Sequence, residues 1–223
     1  MSFDFLGNSV PRIAAPFFRS VKWRGALQQS SGETSIYLTF DDGPDPESTP
    51  RLLATLKDRN LRATFFLLGE RAEQNPDLVK SIVAAGHQIG SHGWDHKSPW
   101  RGTSTTALAG LERTAEVLER LSGSPIRFVR PPYGRFTPSI LRWSRDHRQE
   151  LVLWDVMPGD FRDEPIAQTC GRLTKRIRPG SIIVLHDSPG TIDKMPVLLT
   201  TLESILDSKG WASGHLSLER DHD

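Results

Sequence analysis

Two adjacent carboxylates at the end of an apolar run carry the clearest chemical signal in the sequence. Residues 36–40 are aliphatic, aromatic or β-branched, which favours a buried strand, and Asp41 and Asp42 follow at once. Gly43 and Pro44 then end the strand. Their turn lets both carboxylates face one site, although neighbours on a regular strand point to opposite faces. The alternative is an ordinary turn with aspartates at its early positions.

His92 and His96 form the second candidate pair. A spacing of four places two imidazoles on one helix face or one tight loop, and Gly93 between them favours the loop. No glutamate follows His92, so the zincin pattern His-Glu-x-x-His is absent and a general base must come from elsewhere. Two histidines with one carboxylate are a recurrent ligand set for a catalytic divalent metal, and the second aspartate then remains for proton transfer.

The elements that must position these residues alternate between strands and helices along the chain. This alternation predicts β-α-β crossovers and a mainly parallel sheet or barrel. Reactive side chains follow the strands at Asp41, Asp42, His92, Arg130 and His186, so one edge of the sheet should collect them. The predicted strands are 36–40, 63–68, 87–90, 126–129, 151–154 and 181–185, and the predicted helices are 48–59, 75–85, 104–121, 139–146, 165–177 and 195–209.

Length and composition favour one domain with a sizeable core, since the chain has 223 residues of which 37% are hydrophobic. Lys and Arg number 28 against 27 Asp and Glu, so no basic surface argues for a nucleic-acid partner. The single cysteine, Cys170, excludes an internal disulfide and a cysteine metal cluster. Nothing in the sequence indicates the oligomeric state.

We assign residues 1–34 to an N-terminal lead segment and 35–223 to the main domain. The lead segment has no apolar run long enough for a signal peptide or a membrane span, so we expect a cytoplasmic protein, with cell-envelope association open if a native leader precedes it. Its weakly basic, aromatic part either packs on the domain or makes a weak peripheral membrane contact. That part comprises Arg12, Phe17, Phe18, Arg19, Val21, Lys22 and Trp23.

Four short motifs in order resemble the signatures of the polysaccharide deacetylase family, also called the NodB homology domain or carbohydrate esterase family 4. Any one of them is weak, but four in order are specific. The resemblance covers roughly residues 35–211 and implies a distorted (β/α) barrel with a metal at its top. The motifs occupy residues 39–44, 92–96, 130–134 and 184–187.

The resemblance also implies a metal site. Asp42, His92 and His96 match the family's ligands of a divalent metal, which is usually zinc, although Co²⁺, Ni²⁺ or Mn²⁺ serve in relatives. The family commonly has Ser or Thr after the first histidine, and Gly93 at this position loses a loop hydrogen bond but no ligand.

Proton-transfer roles follow from the same resemblance. Asp41 matches the general base that takes a proton from the attacking water, and Arg130 matches the arginine that holds this carboxylate. His186 matches the general acid that protonates the departing amine. The family's aspartate motif is altered in residues 154–161, where Asp160 is the best match for the carboxylate that orients His186 and Asp155 is its competitor.

Substrate contacts are predicted from side-chain type and family analogy. The backbone N–H of Tyr133 would help to stabilise the oxyanion. Val184 and Leu185 would line an apolar pocket for the acetyl methyl group, although one of them must face the core because strand neighbours point in opposite directions. Four aromatic side chains could stack on a sugar ring or simply form the wall of the site: Trp94, Trp100, Tyr133 and Phe161.

These observations predict a metal-dependent hydrolase that removes acetyl groups from N-acetylated sugars or glycans of the peptidoglycan or chitin type. Three alternatives remain: an O-acetyl esterase, a small-molecule C–N amidohydrolase on the same barrel, and a catalytically silent glycan-binding domain. A glycosidase is disfavoured because adjacent carboxylates such as Asp41 and Asp42 do not flank a glycosidic bond at the required separation of about 5 Å or more.

Overall fold

A curled sheet of parallel strands lies at the centre of the protein. The computed structural model describes residues 20–28 and 32–218. The three longest strands coincide with apolar or β-branched runs of the sequence. The strands are β1 (Val21–Lys22), β2 (Ser35–Asp41), β3 (Ala63–Leu67), β4 (Gln88–Ser91), β5 (Phe128–Val129), β6 (Glu150–Val152), β7 (Ile182–His186) and β8 (Ala212–Ser213).

Helices connect the strands and cover the outer face of the sheet. Thr103 and Thr137 begin two of them, each accepting a hydrogen bond from a first-turn backbone N–H. Short 3-10 turns lie at Pro132–Gly134 and Ile192–Lys194. The helices are α1 (Ser48–Asp58), α2 (Gly69–Gln74), α3 (Pro76–Ala84), α4 (Ser104–Ser122), α5 (Pro138–Asp146), α6 (Ile166–Arg176) and α7 (Met195–Lys209).

The strand order is β1-β6-β5-β4-β3-β2-β7, every neighbouring pair is parallel, and β8 pairs with the start of β2. Two isolated bridges join the ends of this order, one between Arg24 and Ser181 and one between Val156 and Ile183. The sheet therefore curls until its edges meet. This architecture confirms the predicted distorted (β/α) barrel.

The two faces of the sheet carry different cores. Alternate residues of one face, such as Phe65 and Leu67 on β3, pack with the helices in the largest hydrophobic cluster. The opposite face fills the inside of the curl, where Phe66 packs with Phe128 and other apolar residues. Arg130 is fully buried there, with its guanidinium carbon 4.1 Å from the centroid of the Phe66 ring. A buried cation in an apolar interior requires partners, and these lie at the site.

Three elements were not predicted: helix α2 and the two-residue strands β1 and β8. Helix α2 was not predicted because its sequence, Gly-Glu-Arg-Ala-Glu-Gln, has no apolar periodicity. Strand β1 lies within the predicted lead segment, and Val21 and Lys22 pair with Leu151 and Val152 of β6. The sheet thus begins before residue 35.

Part of the predicted membrane-contact stretch is buried in the protein. Val21, Lys22 and Trp23 are all inaccessible, so they are used in packing. Arg12, Phe17, Phe18 and Arg19 lie outside the described residues. Among the described helices, none is both long and apolar enough to cross a membrane.

Candidate metal centre and active site

The carboxyl ends of four strands bring the predicted site residues together. Asp41 ends β2, His92 follows β4, Arg130 follows β5 and His186 ends β7. Because these strands are parallel, their ends lie at the same edge of the sheet. Register brings the first and last of them side by side, since Asp41 is paired with His186 across β2 and β7.

Asp42, His92 and His96 form a compact group of potential metal ligands. One ligand atom from each residue lies within 4.8 Å of the others. Oδ1 of Asp42 is 3.2 Å from Nε2 of His96 and 3.5 Å from Nε2 of His92. Nδ1 of His92 donates a hydrogen bond to the carbonyl of Arg130 at 2.7 Å, which leaves Nε2 as the free lone pair that faces Asp42.

The chemistry of these atoms fits a divalent cation. Oδ1 of Asp42 is buried, and no hydrogen-bond donor reaches it from the described part of the protein. Burial lowers the pKa of His96 despite the opposing charge of Asp42, and this favours the neutral imidazole that binds metals. Burial would raise the pKa of Asp42, but the adjacent His92 imidazole and the charges of His186 and His96 hold it well below its ordinary value. An ionised carboxylate oxygen facing two imidazole nitrogens is a candidate divalent-metal site.

The backbone at this group is strained. Asp42 and His96 have φ angles of 78° and 55°, and Tyr133 beside them has φ 61°. Residues other than glycine rarely adopt such left-handed conformations, and the residues that do so cluster at functional sites. Gly93 has φ 80°, a conformation that glycine adopts at little cost, which gives a structural reason for glycine at this position.

Arg130 holds Asp41 inside the curl of the sheet. Its Nη1 donates to Oδ1 of Asp41 at 2.7 Å and to the Thr39 hydroxyl at 2.7 Å. Its Nε and Nη2 donate to the carbonyls of Val152 and Leu153. The other oxygen of Asp41, Oδ2, is 3.9 Å from Nε2 of His92. The arginine thus fixes one carboxylate oxygen and leaves the other directed at the candidate metal site.

Asp160, rather than Asp155, contacts His186. Oδ1 of Asp160 is 3.0 Å from Nδ1 of His186, and Oδ2 accepts the backbone N–H of the same residue at 2.8 Å. Burial lowers the pKa of His186, but the charge and hydrogen bond of Asp160, together with Asp41 and Asp42, raise it to about 9. The imidazole therefore carries a proton at neutral pH and can donate it from Nε2.

Asp155 has a separate place at the seam of the sheet. It accepts hydrogen bonds from the backbone N–H of Ile182 and from Arg178, and it lies 3.4 Å from Nε of Arg24. Asp155 thus connects the two edges of the sheet that meet where it closes, and it is not part of the site.

The predicted substrate contacts fall into two groups. Tyr133 and Phe161 are about half exposed, with their rings beside His96 and His186 at centroid distances of 4.6 and 5.3 Å. Trp94 is half-buried, packed against Gly69 and covered by the guanidinium of Arg113, so it forms part of the wall. Val184 is buried on the strand face opposite Leu185, which packs in the main core. Stacking and methyl recognition by these residues remain predictions.

Sequence reasoning missed three supporting side chains. The Thr39 hydroxyl accepts from Arg130 and donates to the carbonyl of Ile183. Lys194 donates to the backbone carbonyls of Asp160 and Arg162, which supports the loop that carries Asp160. Asp187 is fully buried. Thr39 and Asp187 lie inside the first and fourth motifs, whereas no local pattern marks Lys194.

Comparison with known proteins agrees with this geometry. The family model for polysaccharide deacetylases matches residues 28–152. The chain belongs to the polysaccharide deacetylase family, which confirms the predicted resemblance. Members of this family are hydrolases that generally use a divalent metal.

Among curated relatives, a peptidoglycan-N-acetylglucosamine deacetylase of Bacillus cereus is 37% identical over 175 residues, covering 78% of this chain and 64% of the relative. A chitooligosaccharide deacetylase of Sinorhizobium fredii is 34% identical, covering 74% of this chain and 77% of the relative. The chain thus spans somewhat less than two thirds of the first relative's length. A crystal structure of a peptidoglycan N-acetylglucosamine deacetylase superposes with a TM-score of 0.82 at 31% identity, covering 90% of this chain and 92% of the other.

Proposed function

We propose that the protein removes acetyl groups from N-acetylated sugars of a peptidoglycan- or chitin-type glycan. The observation that carries this proposal is the convergence of a candidate metal site, an arginine-bound carboxylate and an aspartate-bound histidine at one sheet edge. The printed activities of the two curated relatives, peptidoglycan and chitooligosaccharide deacetylation, support the same class of substrate.

Asp42, His92 and His96 would hold the divalent ion. Two imidazole nitrogens and one carboxylate oxygen suit zinc, with Co²⁺, Ni²⁺ or Mn²⁺ as alternatives. When bound, such an ion lowers the pKa of water and polarises the acyl carbonyl, so an amide can be attacked without a covalent intermediate on the protein.

The chain's own groups handle the protons. Asp41, fixed by Arg130 through Oδ1, would accept the proton of the attacking water at Oδ2. His186, protonated at neutral pH, would donate its proton to the departing amine nitrogen. The backbone N–H of Tyr133 would contribute to stabilising the oxyanion.

The two proton-transfer groups, Asp41 and His186, help to distinguish the proposed deacetylase from the alternative functions. An amine is a poor leaving group that must be protonated as the C–N bond breaks, and a histidine with a pKa of about 9 suits that task. This favours amide over ester hydrolysis. A silent glycan-binding domain is disfavoured because the base, the acid and the three potential ligands are all present at one edge of the sheet.

Acetate release is the test. We expect the purified protein to release acetate from chitin oligosaccharides or peptidoglycan fragments, to lose this activity with a chelator and to regain it with Zn²⁺. Glycan binding without acetate release would contradict the proposal in favour of a binding module. Release from O-acetylated sugars alone would favour the esterase, and ammonia release from a small amide would favour the amidohydrolase.

A further inference from the structure

An aromatic and cationic surface lies beside the candidate metal centre and is not used by the chemistry described above. We call it the Arg135 platform, and it consists of Trp100, Arg135 and Tyr133. Trp100 and Tyr133 are 63% and 52% exposed, which is unusual for large aromatic side chains. Exposed aromatic rings at the rim of a site are suited to contact with the faces of sugar rings.

The platform is held in place by specific contacts. The guanidinium carbon of Arg135 lies 4.9 Å from the Trp100 ring centroid and 5.4 Å from that of Tyr133. Nη1 of Arg135 donates to the hydroxyl of Ser98 at 3.2 Å, and Nε1 of Trp100 donates to the carbonyl of Phe136 at 3.1 Å. The three side chains are thus ordered before any ligand arrives, which lowers the entropic cost of binding.

Arg135 differs from Arg113 and Lys97 because no carboxylate neutralises its charge. Arg113 pairs with Glu73, and Lys97 pairs with Asp95. In the described part of the chain, no carboxylate lies within ion-pair distance of Arg135. Stacking on the two rings and one bond to Ser98 leave several of the guanidinium's five N–H donors available, and their fork matches a carboxylate.

The Arg135 platform is adjacent to the candidate metal centre. The Tyr133 ring lies between Arg135 and His96, and its centroid is 4.6 Å from the His96 ring. A sugar bound with its acetamido group at the metal centre therefore places the next sugar of the chain over or beside the platform. Arg135 is then within reach of a substituent on that neighbour rather than of the reacting group.

We propose that the Arg135 platform binds the sugar next to the one that is deacetylated and that Arg135 recognises a carboxylate on it. This inference rests on the proposed function. It assigns the substrate to acidic N-acetylated glycans, such as those with the lactyl carboxylate of muramic acid, in preference to neutral chitin.

The test compares three oligosaccharides that differ in charge. They are a tetrasaccharide of alternating N-acetylglucosamine and N-acetylmuramic acid, the methyl ester of its lactyl groups, and chitotetraose. Replacing Arg135→Gln should lower kcat/KM for the acidic tetrasaccharide about fivefold, mainly through KM, because a partly exposed charge pair is lost. The other two substrates should lose clearly less, since they contact the rings but lack the carboxylate.

Two further variants make the result specific. Arg135→Lys keeps the charge without the fork, so it should lose less than Arg135→Gln on the acidic substrate. Arg120→Gln makes the same charge change in the last turn of α4, at the opposite end of the barrel, and should leave all three substrates unchanged. Melting temperatures show whether each variant is folded.

The outcomes separate this inference from the proposed function. Equal losses on all three substrates, or no loss on the acidic one, would overturn recognition of a carboxylate while leaving deacetylation intact. Absence of acetate release from every substrate would overturn the proposed function instead. Calorimetric binding of the acidic tetrasaccharide and of its ester then still decides the role of Arg135, since replacing Arg135→Gln should weaken binding of the former more than of the latter.

Discussion

The two halves of the active site are built in opposite ways. In the metal half, potential ligand atoms with free lone pairs lie close together, on residues of which two have strained backbone conformations. One of these atoms is a buried carboxylate oxygen that receives no hydrogen bond from the described residues. The proton-transfer half consists of pairs in which each charged group has a partner within the protein. The metal half comprises Asp42, His92 and His96, and the proton-transfer half comprises Asp41, Arg130, Asp160 and His186.

This difference separates the part of the site that needs a group from outside from the part that does not. The metal half would be completed by a cation, so its residues should contribute to activity more than to the stability of the metal-free protein. The proton-transfer half is complete in itself, and its residues should contribute to both. Mutations in the two halves should therefore differ in how they divide their effects between activity and stability.

The largest expected effect is on activity and comes from the metal half. Asp42→Asn should weaken divalent-metal binding and reduce acetate release at least about 100-fold, because the only anionic ligand of the group is lost. The metal-free protein should lose little stability towards urea, since asparagine has nearly the same shape and also tolerates the positive φ at this position. Metal titration, acetate release and urea unfolding measure the three quantities.

A matched control for this change is Asp58→Asn at the exposed end of α1. It removes the same charge far from any ligand and should alter neither metal binding nor activity. A large loss of metal-free stability in Asp42→Asn would break the comparison, because it would mean that the metal half also supports the fold.

The next effect is on stability and comes from Arg130. Arg130→Met leaves Asp41 buried without its partner, so the free energy of unfolding should fall by about 3 to 5 kcal/mol. The double variant Arg130→Met with Asp41→Asn should recover part of this loss but no activity. Urea unfolding of the metal-free proteins tests the prediction, and equal stability of Arg130→Met and the wild type would contradict it.

A third effect concerns pH. Asp160→Asn removes the charge that raises the pKa of His186 to about 9, so the alkaline limb of the kcat/KM profile should move to lower pH. In the folded wild type this pKa lies above the unfolded value of about 6.5, so the stabilisation is complete below pH 6.5 and is lost as pH rises through about 9.

Two measurements check this third prediction. A kcat/KM profile from acid to alkaline pH locates the limb, and urea unfolding of the metal-free proteins at several pH values follows the stability. The wild type should lose more stability than Asp160→Asn between neutral and alkaline pH. An unchanged alkaline limb in the variant would show that Asp160 does not control the proton of His186.

The smallest effect should come from the second aspartate after β6. Asp155→Asn weakens the contacts with Arg24 and Arg178, which are partly exposed, so the unfolding free energy should fall by about 1 kcal/mol. Because Asp155 lies at the seam and not at the site, kcat/KM should be unchanged. A large loss of activity would contradict the separate roles of Asp155 and Asp160.

The sequence predicted most of the fold and the site because both depend on local signals. Strand ends marked by Asp41, Asp42, His92 and His186 place the reactive groups at one edge of the sheet from the sequence alone. The choice between Asp160 and Asp155 needed the path of the loop after β6, which no residue pattern specifies. Strand β1 has only two residues, too few for a periodic signal.

Asp187 connects segments of the chain that are remote in sequence. Its N–H donates to the carbonyl of Asp41, and its carboxylate accepts the hydroxyls of Ser48 and Thr49 at 2.6 and 2.5 Å. Gly43 passes so close that a Cβ there would lie 2.4 Å from Oδ2 of Asp187. Asp187 and Gly43, the residues that follow His186 and Asp42, therefore fix the distance between these two site residues. Lengthening the loop before α1 should displace His186.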